Sequence, residues 1–198
     1  MKIKTRKKSK TISIISCDNE NWGILSDKIL QTILANFHDE VSVEISEKLL
    51  SEIEKTAWNK FLDFLSYRER SSGECKVFLS TKLFLRKDIQ SRFIKKVTFL
   101  KYLNDERFAE MFVEELLRKG KSKREISQKL FQKKIPENII NQILAEKFTL
   151  QKQAEIIQQN IEKAKQKYAR FPEKTKREKI INYLYRRGFS YTEITEKI

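Results

Sequence analysis

Glycine and proline are scarce in this chain, four and two residues in 198. Sandwiches, barrels and loop-rich folds need many such breakers at their turns, so a mainly helical protein is expected. Cysteine is equally rare. Cys17 and Cys75 stand far apart with no Cys-x-x-Cys or Cys/His spacing, which excludes a zinc ribbon or a disulfide framework and suits a reducing compartment. His38 is the single histidine. With no glycine-rich phosphate loop and no Gly-x-Ser-x-Gly turn either, no catalytic residue, metal or cofactor is expected. No apolar run approaches the roughly 18 residues that span a bilayer. The basic start, Lys2 to Lys10, is followed by an apolar stretch, Ile12 to Ile15, that is too short and too interrupted by Ser13 for an export signal. The expectation is a cytoplasmic protein that binds rather than reacts.

What the chain has in quantity is positive charge. Lys and Arg number 42 against 27 Asp and Glu, a formal net charge of +15. Long-range attraction of that sign concentrates polyanions at a surface, so a nucleic-acid-associated partner is favoured; the same charge also serves solubility alone. How the charge is distributed therefore matters more than its sum.

The N-terminal 1–47 segment reads as a basic arm and a small β-containing module. Thr11 to Ile15 and Trp22 to Leu25 flank the polar cluster Asp18-Asn19-Glu20-Asn21 as a β-hairpin would. Lys28 to Phe37 is consistent with a short helix presenting Ile29, Ile33 and Leu34, and Val41 to Ile45 alternates like a strand.

Beyond Ser46 the period becomes helical and the chain repeats itself. Shifting by 51 residues places Phe61, Leu62 and Leu65 on Phe112, Val113 and Leu116, Ser71-x-x-Glu74 on Ser122-x-x-Glu125, and Leu79 on Leu130. A further shift of 54 carries Leu130-x-x-Lys133-Lys134-Ile135 onto Leu184-x-x-Arg187-Gly188-Phe189. Three tandem three-helix repeats follow, at 48–103, 104–148 and 149–198. Units this small bury little alone, so stacking into an elongated curved body is expected. The first helix of the third repeat, Leu150 to about Arg170, is long and carries Ala154, Ile157, Ile161, Ala164 and Tyr168; it either projects from the body or lengthens the concave surface.

The helix ends are legible in the middle repeat. Asp105 suits the cap of a helix running to Arg118, and Gly120 stops that helix by taking the left-handed conformation. Ser122-x-x-Glu125 forms a capping box for a second helix ending near Lys134, and Pro136 stands in the first turn of a third.

Three strings resemble the RecX family: Tyr102-Leu103-Asn104-Asp105-Glu106-Arg107-Phe108-Ala109 followed by Gly120 and Leu130-x-x-Lys133-Lys134-Ile135-Pro136; Tyr183-Leu184-Tyr185-Arg186-Arg187-Gly188-Phe189; and Phe64-Leu65-Ser66-Tyr67-Arg68-Glu69-Arg70-Ser71. The resemblance runs from about Trp58 to Ile198. Two positions depart from it: Lys134 and Leu83 stand where the family usually has Gly. The resemblance implies a monomeric cytoplasmic regulator that binds the RecA filament on single-stranded DNA, with DNA itself as a further contact. It implies lowered strand exchange, ATP hydrolysis and coprotease activity in DNA repair and recombination. Direct DNA binding by a helical repeat is the rival reading.

The candidate contacts are the paired cations at helix breaks: Arg68 and Arg70, Lys119 and Lys121, Lys133 and Lys134, Arg186 and Arg187. In stacked repeats, equivalent pairs would line up in a stripe suited to phosphate or acidic protein. Cations at helix C-termini also stabilise the macrodipole without any ligand. Tyr67, Tyr185 and Tyr191 lie beside these charges and could stack on a base or close a helix seam. The stretch Arg170 to Lys179 reads as a basic contact loop or a solvated linker, and Lys2 to Lys8 as a nucleic-acid arm or a disordered tail.

Overall fold

A computed structural model describes residues 2–34 and 42–198. It divides into two compact units, Met1–Asn104 and Asp105–Ile198. The architecture is mainly helical with a small N-terminal antiparallel sheet and three successive helix triplets, as the repeats indicate.

In the first unit, β1 (Ile3–Lys7), β2 (Ile12–Cys17) and β3 (Glu20–Ser26) form an antiparallel sheet in the order β1-β2-β3. The β2–β3 turn is Asp18-Asn19, both with positive φ (46° and 67°), the twist that suits a two-residue hairpin. The basic start is therefore neither arm nor tail but an edge strand. Lys4 Nζ donates to Asn19 Oδ1 at 2.9 Å, and Lys7 pairs with Asp27 at 2.5 Å. Charged residues on an edge also discourage pairing with another chain.

Helix α1 (Asp27–Leu34) buries Leu30 and Ile33; the remainder of the expected helix, 35–37, and Val41 lie outside the described residues. The expected strand at 41–45 is corrected. Ser42 caps α2 (Val43–Ser66), its Oγ accepting from Ile45 N, and Val43 is exposed in the first turn. An apparent alternation over a few residues yields to the spacing of four that follows: Leu49, Ile53, Ala57 and Phe61 are all fully buried along one stripe of α2.

That stripe packs on the sheet. Ile15 pairs with Gly23 but Ser16 with Asn21, so Trp22 is the extra residue of a bulge. Gly23 has φ +153°, and a Cβ there would stand 2.4 Å from Ile53 Cγ2. Only glycine permits this approach. Helices α3 (Ser72–Val77), continued by a π-helical turn at Phe78–Lys82, and α4 (Lys87–Phe99) complete the triplet. The sheet and the triplet share one core, in which Ile14, Ile24 and Leu25 join Leu79, Ile89 and Phe93. Cys17 and Cys75 are buried in it as thiols, not joined in a disulfide.

The second unit holds α5 (Asp105–Arg118), α6 (Lys123–Gln132), α7 (Glu137–Lys147), α8 (Leu150–Lys167), α9 (Glu173–Arg186) and α10 (Tyr191–Thr195) around a second core. Asp105 is the first residue of α5, so its charge serves the positive end of the dipole from inside the helix. Pro136 and Pro172 are the caps themselves, where the missing N–H is equally harmless. Helix α8 does not project: Ile156, Ile157, Ile161 and Ala164 are buried in the shared core. The stretch 170–179 is not a loop, because α9 begins at Glu173.

The second helices of the triplets end alike, with one shift. Gly188 and Lys134 take positive φ (85° and 57°), and Phe189 N donates to Leu184 O just as Ile135 N donates to Leu130 O. In the first triplet the left-handed residue is Phe84 (φ 53°) rather than Leu83, and Leu85 N reaches back to Leu79 O. The π turn inserts one residue, which moves the helix end by one place.

Candidate functional site

The side chain that organises the second unit is Asn160 of α8. A polar residue amid Ile156, Ile157, Ile161 and Ala164, it is 1% exposed. Its Nδ2 donates to Gly120 O (3.0 Å) and Ile156 O (2.7 Å), and its Oδ1 accepts from Arg187 Nη1 at 2.5 Å. Arg187 also donates to Tyr183 Oη (3.2 Å) and, at 3.4 Å, to Gly120 O, while its own carbonyl accepts from Ser122 Oγ at 2.7 Å. The turn after α5, the cap of α6, the middle of α8 and the end of α9 thus meet in one polar node. Gly188 permits it, since a Cβ there would stand 2.8 Å from Ser122 Oγ.

This node separates the candidate cations by role. Arg187 faces inward and holds helices together. Lys119, just past the end of α5, pairs with Glu115 of that helix, and Lys121 with Glu125 at 2.7 Å. In the first unit Arg68 grips Glu74 through two bonds of 2.9 and 3.1 Å, and that carboxylate raises the Arg68 pKa further. Arg70 donates to Phe64 O and lies 4.0 Å over the Phe64 ring; burial, then Arg68, lowers its pKa. Lys133 lies 6.0 Å over the Phe112 ring. Arg186 and Lys134 remain exposed, with no acidic partner among the described residues. Tyr67, Tyr185 and Tyr191 are 88%, 58% and 61% exposed, and so close no helix seam.

Of these candidates, Tyr185, Arg186 and Arg187 are brought into one cleft of about 390 Å³ between the end of α9 and α6. Its other wall is Arg124, Glu125 and Gln128. Arg124 carries no motif that a sequence reading singles out; its place in the cleft depends on how α6 meets α9. Asn160 did carry a signal, a lone polar residue at an apolar position of α8.

Two segments match models of one family: residues 104–144 match the second three-helix domain of RecX, and residues 151–198 match the third. The Regulatory protein RecX of Streptococcus sanguinis is 31% identical over 202 residues, covering 98% of this chain and 74% of that protein. The chain belongs to the RecX family. Helices α5–α7 and α8–α10 are the family's second and third domains. A crystal structure of RecX from Lactobacillus salivarius aligns over 74% of this chain and 95% of its own with a TM-score of 0.66 and 28% identity. A second RecX crystal structure shares the fold over 99% of this chain and 98% of its own, with a TM-score of 0.68 and 23% identity. Among the described residues no group of acids, cysteines or histidine is arranged to hold a metal, and no helix is long and apolar enough to cross a membrane. In this RecX chain the node joins the second domain, through Gly120 and Ser122, to the third, through Asn160 and Arg187.

Proposed function

We propose that this chain regulates the RecA recombinase in the cytoplasm by binding the RecA filament on single-stranded DNA, lowering strand exchange, ATP hydrolysis and coprotease activity without a reaction of its own. Membership of the RecX family, whose relatives carry the name Regulatory protein, carries this reading. The charge of +15 is in keeping with a polyanionic nucleoprotein target.

The test is DNA-stimulated ATP hydrolysis by RecA with the protein added well below the RecA concentration. A filament binder inhibits substoichiometrically, because one bound molecule affects many subunits. Inhibition that appears only when the protein saturates the DNA would refute filament binding and leave competition for DNA as the explanation.

A further inference from the structure

The cleft between α6 and α9 has features that a helix-packing role does not require. Arg187 already supplies the structural contact, through Asn160 and Gly120. Beside it Arg186 and Arg124 are exposed, and neither has a carboxylate partner among the described residues. Glu125, the acid of the lining, is ion-paired with Lys121 at 2.7 Å. The cleft is thus positive where it opens to solvent. Tyr185 stands 58% exposed at its edge, with no ring partner among the described residues.

We infer that this cleft binds single-stranded nucleic acid directly, Arg124 and Arg186 taking the backbone phosphates and Tyr185 stacking on an unpaired base. Guanidinium groups present planar forks that match phosphate oxygens. An aromatic ring beside them offers a face to any base, which gives affinity without sequence preference. One observation and one chemical argument favour a single strand over a duplex. The cleft is nucleotide-sized and lies between two helices, and a stacked, paired base offers Tyr185 no free face. Gly188 lets the end of α9 approach α6 closely enough for both arginines to line one opening, because a side chain there would meet Ser122 and Arg124. This inference goes beyond the proposed function, since it requires no recombinase.

The test is fluorescence anisotropy of a labelled oligothymidylate and of a duplex of equal length, using the full chain. Wild type is expected to prefer the single strand. Arg124→Gln with Arg186→Gln should weaken oligothymidylate binding tenfold or more and flatten the log–log salt dependence by about 1.4, two phosphate contacts at about 0.7 each. Tyr185→Ala should cost between about fivefold and a hundredfold, and Tyr185→Phe should retain wild-type affinity because the ring is kept. Lys28→Gln with Lys48→Gln, on exposed positions of the first unit, controls for net charge and should leave the contrast between strand and duplex in place. Wild-type affinity and salt slope in the arginine double variant would overturn the assignment. So would unchanged strand binding with lost RecA inhibition, which would make the occupant a protein surface. Strand binding by wild type with no effect on RecA ATP hydrolysis would support the cleft and sink the proposed function instead.

Discussion

Arg186 and Arg187 are adjacent, identical in type and paired as candidates by the sequence, yet their removal should have unequal consequences. Arg187→Ala deletes the donor to Asn160 Oδ1, an atom on a side chain only 1% exposed. A hydrogen bond from a charged donor contributes about 1.5–3 kcal/mol, and a buried acceptor left without a partner costs about 1–3 kcal/mol; the two overlap rather than add. The bonds to Tyr183 and Gly120, at 3.2 and 3.4 Å, are longer, and Gly120 O keeps its bond from Asn160. The expected loss is about 2–3 kcal/mol. Arg186→Ala, on an exposed side chain, should stay within about 0.5 kcal/mol of wild type. Urea unfolding followed by far-UV circular dichroism measures both. Tryptophan fluorescence gives a separate view of the first unit, because Trp22 and Trp58 both lie in it. Combining Arg187→Ala with Asn160→Ala should cost less than the sum of the two, since they remove one shared bond. Equal effects of the two arginine variants, or strictly additive costs in the double, would refute the node. The contrast also bears on charge reversal: a variant altered at both arginines would lose stability through Arg187 and could not isolate a contact surface.

Two further substitutions test the backbone. Gly23→Ala should destabilise by about 2–3 kcal/mol, because the new methyl stands 2.4 Å from Ile53 Cγ2 on a backbone with φ +153°; thermal unfolding unchanged from wild type would show that α2 is not seated on β3 as described. Lys134→Gly should raise stability by about 0.5–1 kcal/mol, since an exposed lysine held at φ +57° gives up strain without losing a buried contact. A lowered melting temperature would mean that Lys134 contributes more through its side chain than its backbone costs.

Much of the fold was legible because its signals are local. The shifts of 51 and 54 residues superpose apolar stripes and caps whose physics depends on neighbours within one turn. Ser71, Ser122 and Gly120 stand where capping chemistry requires them, and all are found there. The misreadings share a cause, a pattern too short to select one structure. Five alternating residues, Val41 to Ile45, suggested a strand where α2 begins, and a dense run of cations suggested a loop where α9 begins.

By itself, then, the sequence determined the helix triplets, their ends and the family strings, since caps, glycines and apolar spacing act over a few residues. Only the tertiary structure decided which cations are available. Arg187 was turned inward by an asparagine 27 residues earlier and a glycine carbonyl 67 residues earlier, while Arg124 joined Tyr185 and Arg186 because α6 packs beside the end of α9. A charge is used according to what it can reach in space, and that distance is set by packing rather than by position along the chain.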